Sequence, residues 1–532
     1  MSSSPRRHPG MGASTVMSSS PRRRPGMGAS TVALAALAIS AAFASPLHAE
    51  DALPPWTDRG DVPLPAWARS VTPNKPEAAI YAEPGKLEAR RGSAQPGARL
   101  PLYATRRVGG CMGRWLNVGP LAWMCSDVVD FSEDPPGSPA LGTRPWVALG
   151  GDGAPSADHA RPARPGAQTR LPPIEPLSAT DDGLPYRYFF AGRDGAFGFA
   201  NLASALDDAP DQELEPGFAV AILEERTAHG ERWGRTKKGR WVAMRELGPA
   251  RANLFHGELL DAAPSTPAGS GASGPKPAGA GASEPRPAAG SGASEPKPAG
   301  SGASQPRLDV AWVVADKANV FASDKADKVS GTRVRFEKVR VFEEKPGQAG
   351  GVVRVSSDKD APAWMRARDL ARPRLAAPPP EIAGDGPAGA ERWIDVDLAS
   401  QTLVAYAGPR PVFATIVSTG RGPRGSELAT RTGTFRIWVK VFTTKMDNLD
   451  NEDADRHYAI EDVPWVQFFD KAIALHGAFW HRDFGRVHSH GCVNLAPLDA
   501  RWLFAFTGPH VPTGWTAALP TKIERGTVVR VR

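Results

Sequence analysis

The sequence has few cysteines, little net charge for its length and no long apolar run. Its 532 residues include three cysteines, an odd number that cannot all pair within the chain, so we expect one thiol to be left over. The 64 Lys and Arg against 57 Asp and Glu give a formal net charge of +7. This small excess gathers on no single face, which gives little support to a nucleic-acid partner. An anionic surface, such as a bacterial wall polymer, would suit its sign equally well.

Glycine and proline are abundant, whereas the apolar content remains that of a folded protein. The chain has 55 Gly and 53 Pro, yet 41% of its residues are hydrophobic. This combination is typical of folded modules separated by disordered linkers. The length predicts three or four domains, because a single core seldom serves so many residues.

The N-terminus has the layout of a secretory signal. Residues 1–16 recur almost unchanged at 17–32, so the segment contains a tandem duplication. A cationic patch is followed by an apolar stretch over residues 32–43 and by small residues that place the expected cleavage after Ala49. A permanent membrane anchor would need about 20 apolar residues, and Pro46 interrupts the run too early. The sequence therefore predicts a secreted protein with no stable membrane span after cleavage.

Two of the three cysteines lie in one short aromatic stretch. Cys111 and Cys125 are separated by 14 positions in a segment that reads as a hairpin, where adjacent strands could bring their side chains together. Secretion makes a disulfide possible, and we predict one here. Two buried free thiols are the alternative. Cys492 would then be the unpaired cysteine.

The composition changes several times along the chain and divides it into eight segments. Residues 267–307 form four near-repeats with no apolar side chain larger than alanine, so they cannot build a core. We expect the linkers to let the last domain reach away from the preceding modules. The segments are a signal at 1–49, modules at 50–133, 177–261 and 308–373, linkers at 134–176, 262–307 and 374–390, and a C-terminal domain at 391–532.

The three modules share short apolar runs, turn residues and a closing strand that begins with tryptophan. We predict closing strands over residues 123–128, 241–247 and 364–370, and further strands over 334–341 and 352–356. Each module is predicted to be a small β-barrel of about five strands. In these features the modules resemble bacterial SH3-like domains. The closing tryptophans are expected to fill cores, and contact of the modules with wall glycan is a hypothesis.

The last 142 residues are predicted to form a mostly-β domain with one or two short helices. Residues 393–398 and 402–406 read as a hairpin. The remaining predicted elements are strands over 412–418, 434–442 and 472–475 and a helix over 499–506.

Residues 476–495 contain the groups that a cysteine nucleophile requires. Such a nucleophile needs a base, donors for the oxyanion and a rigid turn that exposes the sulfur. His476 follows a predicted strand and can face Cys492 once the intervening loop folds back. His490 and Gly491 place backbone amides beside the sulfur, and the glycine allows an acyl group to approach closely.

These residues resemble the signature of the L,D-transpeptidase (YkuD-type) family. The family's distant His and its Ser/Thr-His-Gly-Cys-hydrophobic-Asn/Arg string correspond to His476 and to SHGCVN, residues 489–494. TGTF at residues 432–435 is similar to the family's Thr-Pro-Thr-Gly-Thr-Phe segment, with Arg431 where proline is usual. The resemblance covers about residues 393–532 and implies a β-sandwich-like catalytic domain with short helices.

The resemblance implies a mechanism on peptidoglycan outside the cytoplasm, in the periplasm or at the wall. Cys492 would attack the diaminopimelate carbonyl of a tetrapeptide stem and release D-Ala, with His476 as general base and acid and the Gly477 carbonyl orienting it. The acyl group would pass to an acceptor amine, without a cofactor. His490 and Gly491 would form the oxyanion region. The predicted substrate-binding residues are Ser489, Asn494, Trp480 and His481, with Asn494 alternatively holding the cysteine turn by backbone hydrogen bonds.

Two other functions remain open at the level of the sequence. Water could resolve the same acyl-enzyme, which would make the protein an L,D-carboxypeptidase. Alternatively, the chain could be a catalytically silent wall-binding protein, although its full set of Cys, His and oxyanion residues disfavours this.

Metal sites are not expected. His476, His481, His488 and His490 lack helical spacing and an obvious carboxylate partner for zinc. The acidic run over residues 447–455 lacks the glycine and the final glutamate of a calcium loop, so we interpret it as a solvated loop or a lid.

Three arginines of the C-terminal domain could contact substrate carboxylates or could simply be solvated, namely Arg421, Arg424 and Arg431.

Overall fold

The computed structural model describes six stretches of the chain. They are residues 64–137, 181–260, 306–347, 350–383, 391–448 and 458–532. Strands dominate these residues and helices are few and short, which confirms the mostly-β prediction. None of the helices described is long and apolar enough to span a membrane. The predicted signal at 1–49 lies outside these stretches, as does most of the acidic run over residues 447–455.

Three N-terminal segments of short strands precede the C-terminal domain. The first segment, residues 64–137, has strands at Ser70–Pro73, Ala79–Tyr81, Arg90–Ala94, Leu100–Pro101, Ala104–Arg106, Trp115–Gly119, Ala122–Cys125 and Val129–Ser132. The second segment, residues 181–260, has strands at Arg187–Ala191, Ala196–Phe199, Gln212–Leu214, Ala219–Ala228, Glu231–Thr236, Trp241–Ala243, Leu247–Pro249 and Glu258–Leu259 and a helix at Leu202–Leu206. The third segment, residues 306–383, has strands at Val310–Val313, Lys317–Phe321, Val329–Val334, Lys338–Arg340, Glu343–Lys345, Val352–Arg354, Trp364–Arg366 and Leu370–Ala371 and a helix at Pro380–Ala383.

Each of the three segments contains, in its C-terminal half, a short strand, a 3₁₀ turn and a second short strand. In each segment the first of these strands contains a tryptophan, which is Trp123, Trp241 or Trp364. The turns follow at Ser126–Val128, Met244–Glu246 and Ala367–Asp369. The prediction of one continuous closing strand is therefore wrong in all three segments, because the turn interrupts the extended backbone.

Each of these tryptophans packs beneath a cationic side chain. Trp241 and Trp364 are buried, and Trp123 is half-buried. The cations lie 5.0 to 5.6 Å from the ring centroids, a range in which the ring face attracts positive charge. The pairs are Arg106 with Trp123, Arg226 with Trp241 and Lys345 with Trp364. The likeness of the segments to SH3-like barrels stays a prediction.

Two long predicted strands are each divided in the structure. Phe336 has a φ of +72°, in the left-handed region, so the strand predicted over residues 334–341 cannot be continuous. The strand predicted over residues 434–442 is Gly433–Arg436 followed by Val439–Asp447. These two strands belong to different sheets, so the chain crosses from one sheet to the other between them.

The C-terminal domain, residues 391–532, contains strands of two sheets and one described helix. In the first sheet Arg392–Asp397 pairs with Thr402–Ala407 as the predicted hairpin and runs parallel to Val528–Val531. The helix begins at a proline, which suits the first turn because proline lacks an N–H. The first sheet also contains Arg410–Ile416 and Gly433–Arg436; the second contains Val439–Asp447, Ala459–Asp470, Ile473–Gly477, Val493–Leu495 and Trp515–Ala518; the helix is Pro497–Phe506.

The N-terminal segments pack against this domain. Arg90–Ala94 of the first segment pairs antiparallel with Trp515–Ala518, and Glu258–Leu259 of the second segment pairs with Arg410–Ile416. One apolar core contains side chains of both segments and of the C-terminal domain. The expectation that the last domain reaches away from its modules is therefore wrong for the residues described, because shared sheets and a shared core join them.

Residues 374–377, which we assigned to a linker, also contact the C-terminal domain. The N–H of Ala376 donates to the hydroxyl of Tyr406 at 2.9 Å, and the guanidinium of Arg530 donates to the carbonyl of Ala377 at 2.9 Å. The guanidinium of Arg374 is paired with the carboxylate of Asp397. This part of the predicted linker is thus held by hydrogen bonds at the edge of the domain.

A buried acidic pair lies in the first sheet and is neutralised by arginines. Asp395 and Asp397 are each 1% exposed. The Nε atoms of Arg530 and Arg532 donate to the two oxygens of Asp395 at 2.7 and 2.8 Å. A carboxylate can remain in such a buried position only when cations and donors replace its water.

Candidate active site

His476 and Cys492 lie at the ends of two paired strands. His476 belongs to the strand Ile473–Gly477, and Cys492 directly precedes the strand Val493–Leu495. The strands are parallel, with His476 opposite Asn494. Paired residues face the same side of a sheet, and so does the residue two positions away along an extended strand. The fold therefore places the two residues close to the ends of neighbouring strands, with Cys492 in the bend that leads into the second strand.

The imidazole of His476 is held in one tautomer. Its Nδ1 lies 3.2 Å from the carbonyl oxygen of Gly477, which can only accept, so Nδ1 carries the proton and Nε2 keeps a lone pair. The indole of Trp480 stacks on the ring, with centroids 5.7 Å apart. Burial lowers the pKa of His476 to about 4, so the ring is neutral at pH 7 and ready to accept a proton.

Cys492 is the free cysteine, because Cys111 and Cys125 are joined by a disulfide. Burial raises the pKa of the Cys492 thiol to about 11, and a hydrogen bond from the backbone of Ala474 acts in the opposite direction. At neutral pH the site therefore holds a thiol beside a neutral imidazole. Such a thiol needs a base to remove its proton when it attacks an electrophile.

Hydrogen bonds stabilise the turn that precedes Cys492. The hydroxyl of Ser489 donates to the carbonyl of Cys492 and accepts the N–H of Gly491 at 3.2 Å. Gly491 has a φ of +119°, which suits glycine. The hydroxyl of Thr430 donates to the carbonyl of Gly491 at 2.7 Å. Ser489, which we predicted to bind substrate, is buried and uses its hydroxyl within the turn.

Asn494 and His481 lie beneath the site, not along an open groove. Asn494 is 3% exposed and His481 is 9% exposed. The Asn494 amide lies 2.9 Å from Nε2 of His481, and Nδ1 of His481 accepts the N–H of Asp483 at 3.1 Å. Both side chains are buried and hydrogen-bonded to each other, and their role in substrate binding stays a prediction. Their contact joins the Cys492 strand to the loop over residues 481–488.

The structure supplies a carboxylate that we did not expect beside the histidines. His481, Asp483 and His488 form a group whose potential ligand atoms lie within 4.8 Å of one another. Nδ1 of His488 is 3.1 Å from the carboxylate of Asp483, and the two imidazole centroids are 4.2 Å apart. Both nitrogens of His481 already have hydrogen-bond partners, so its ring is not set up to ligate a metal.

The third segment holds this same loop in place. The guanidinium of Arg335 donates to the carbonyls of Phe484 at 2.7 Å and Arg482 at 3.3 Å. Arg486 of the loop donates in return to the carbonyl of Val314 at 2.9 Å. A Cβ at Gly485 would lie 2.3 Å from the Val314 side chain, so this side chain packs directly against the Gly485 backbone. The third segment thus contributes directly to the position of the loop that joins His476 to Cys492.

The open side of the site is formed by Arg421, His490 and Tyr458. A guanidinium nitrogen of Arg421 lies 2.9 Å from Nε2 of His490, and the phenol of Tyr458 stacks on the imidazole of His490 with centroids 5.6 Å apart. His490 is exposed, and burial together with the Arg421 charge lowers its pKa.

Sequence reasoning missed several residues of this arrangement. Thr430 could have been found, since it is the first threonine of the segment we compared with Thr-Pro-Thr-Gly-Thr-Phe. Arg335 gives no signal in the sequence, because the loop that it holds lies about 150 positions away. Tyr458 was assigned no role.

The C-terminal domain is similar to a known protein family. Residues 391–531 match the family model of YkuD, described as L,D-transpeptidase catalytic domain. The matched range contains His476, Cys492 and the turn between Ser489 and Cys492. No curated protein sequence matches the chain.

Solved structures of L,D-transpeptidases are similar to part of the chain. One from Enterococcus faecium is 21% identical, covers 28% of this chain and 52% of its own, and has a TM-score of 0.21. Another, from Stackebrandtia nassauensis, is 26% identical, covers 28% of this chain and 62% of its own, and has a TM-score of 0.19. The isolated catalytic domain from E. faecium is 23% identical and has a TM-score of 0.21. This match includes 27% of the present chain and 97% of the E. faecium domain. The chain thus spans less than two thirds of the first two of these structures.

Proposed function

We propose that the protein is a cysteine-dependent L,D-transpeptidase that cross-links peptidoglycan stem peptides outside the cytoplasm. The observation that carries this proposal is the placement of His476 and Cys492 at the ends of two paired parallel strands, with Nδ1 of His476 fixed by the Gly477 carbonyl. The match of residues 391–531 to the YkuD family supports the choice of reaction.

In the first half of the reaction, the sulfur of Cys492 attacks the carbonyl carbon of the third-position diaminopimelate in a tetrapeptide stem. His476 accepts the thiol proton at Nε2 and passes it to the leaving amine as the carbon–nitrogen bond breaks. The products are a thioester and free D-Ala. Because the pKa of the thiol is raised and that of the imidazole is lowered, the proton moves during the attack and not before it.

The oxyanion is stabilised by backbone amides of the turn that carries the sulfur. The N–H of Gly491 is already donated to Ser489, so we assign the donor role to the amides that flank it, those of His490 and Cys492. In the second half of the reaction an acceptor amine attacks the thioester, the carbon–sulfur bond breaks, and the proton from the amine returns through His476 to the sulfur.

Incubation of the full chain with purified tetrapeptide muropeptides should yield cross-linked dimers and free D-Ala by mass spectrometry. Tripeptides without dimers would identify an L,D-carboxypeptidase, in which water resolves the same thioester. If the protein is folded and the tetrapeptides remain unchanged, both activities would be contradicted, and a catalytically silent wall-binding protein would be favoured.

We further propose that the third segment contacts an anionic wall polymer. A cavity of about 610 Å³ there is lined by four cationic side chains and one carboxylate. Such an excess of one charge attracts a polyanion. The cations are Lys325, Lys345, Arg366 and Arg368, and the carboxylate is Asp324.

Retention on insoluble wall material tests this contact in the full chain. The double substitution Arg366→Gln and Arg368→Gln should reduce the fraction of protein that co-sediments with the wall, and the remaining binding should be less sensitive to salt because fewer ion contacts are left to screen. Lys317→Gln with Arg333→Gln removes the same charge from another exposed part of the segment and should leave retention unchanged. Equal retention of both variants would contradict the proposal.

A further inference from the structure

Arg421 is anchored to the catalytic turn by its backbone and by its side chain. Its N–H donates to the carbonyl of Ser489 at 3.0 Å, and the neighbouring Gly420 forms a parallel bridge with Ser489. Its guanidinium donates to Nε2 of His490 across 2.9 Å. Since a guanidinium has five N–H donors and cannot accept, this contact leaves donors available on the open side.

The guanidinium of Arg421 and the sulfur of Cys492 both lie near the phenol of Tyr458. Tyr458 stacks on His490, the residue that Arg421 contacts. Burial raises the pKa of Tyr458, the charges of Cys492 and Asp447 raise it further, and that of Arg421 lowers it. Both groups therefore lie close enough to the hydroxyl of Tyr458 to act on it electrostatically.

The other arginines on the neighbouring loops are directed elsewhere. Arg431 forms an ion pair with Asp470 at 2.6 Å. Arg486 donates to the backbone of the third segment, and Arg424 donates to Thr432 at 3.4 Å. Of these four arginines, Arg421 is the one that contacts the turn carrying the nucleophile in the part of the chain that the structure describes.

The proposed substrate carries a carboxylate next to the bond that breaks, on the leaving D-Ala. The leaving D-Ala is joined directly to the carbonyl that Cys492 attacks, so covalent geometry places its carboxylate carbon within about 4 Å of the reacting carbon. A guanidinium beside the nucleophile can bind such a carboxylate through two parallel N–H donors.

We propose that Arg421 binds the terminal carboxylate of the leaving D-Ala and so selects tetrapeptide stems whose last residue is free. A stem extended by one more residue presents a neutral amide at this position and gives the guanidinium no charge to pair with. The inference rests on the proposed function, because it specifies the substrate of the same site.

The test compares two substrates and four forms of the full chain. The substrates are a tetrapeptide stem that ends in D-Ala and the same stem with its terminal carboxylate converted to an amide. For the native protein, kcat/KM for release of the last residue should be about 10- to 100-fold higher with the free carboxylate, as expected for loss of a charge-assisted hydrogen bond. Arg421→Gln should lower kcat/KM for the free acid by a similar factor and leave the amide unchanged.

Two further variants separate binding from a purely structural role. Arg421→Lys keeps the charge and should restore part of the preference for the acid. Arg424→Gln removes a charge from the same loop and should behave as the native protein does. An equal loss on both substrates in Arg421→Gln would overturn the inference, because it would mean that Arg421 only supports His490. Absence of turnover by the native protein would instead contradict the proposed function itself.

Discussion

Replacement of Cys492 by alanine should abolish covalent labelling of the protein by a carbapenem, measured as the mass gain of the intact chain. The other two cysteines are joined in a disulfide, so no second thiol can take the label. The side chain of Cys492 lies at the start of a strand and is only half-buried, so its loss should leave the fold intact. Far-ultraviolet circular dichroism checks the fold. Labelling of Cys492→Ala at the native stoichiometry would refute the nucleophile.

The same assay tests the base. His476→Gln should slow acylation by about 10²- to 10⁴-fold, the usual contribution of general-base catalysis. The matched control is Val487→Ala on the loop between the two residues, where the side chain is 53% exposed and its removal should not alter the rate.

The pH dependence of acylation follows from the two pKa shifts. Since the pKa of His476 is lowered to about 4 and that of Cys492 is raised to about 11, neither group titrates in the free enzyme near neutrality. Above pH 4 the imidazole remains a free base, and below pH 11 the sulfur remains protonated. The acylation rate should therefore be flat between about pH 6 and about pH 8. An inflection near pH 6.5, where an exposed histidine titrates, would contradict the buried base.

Replacement of Asp395 by asparagine should lower the free energy of unfolding by about 3 to 5 kcal/mol, the range measured when one partner of a buried ion pair is removed. The carboxylate is 1% exposed and accepts hydrogen bonds from Arg530 and Arg532. Without it, the two guanidinium groups face each other in the sheet with one carboxylate, Asp397, still nearby. Guanidinium chloride unfolding, followed by tryptophan fluorescence, measures the change.

A surface pair provides the control for this experiment. Asp134 pairs with Arg99 at 2.8 Å, but its side chain is 66% exposed. Asp134→Asn should therefore change the unfolding free energy by no more than about 1 kcal/mol. If both substitutions lower the free energy of unfolding equally, the buried ion pairs of Asp395 stabilise the fold no more than an exposed ion pair does.

Much of the C-terminal domain could be predicted because its signals are local. The hairpin at residues 392–407 and the helix at 497–506 arise from alternation and from residues adjacent in the chain, and both were expected within two residues of their observed bounds. The prediction failed where a strand ends without a glycine or proline to mark the end. Phe336 adopts a left-handed φ although nothing in the residue type requires it.

The sequence by itself determined the prediction of the chemistry. A histidine and a Ser-His-Gly-Cys string can be recognised because the sulfur, its neighbouring amides and the glycine turn lie within a few residues of one another. Only the tertiary structure decided what surrounds them. It buries His481 and Asn494, which we had placed at the substrate, and brings Asp483 to His488. It also fixes the loop between His476 and Cys492 with Arg335 of another segment. The reason is physical: alternation and spacing specify which face of a strand is apolar, whereas burial and long-range pairing depend on which other surface packs against that face.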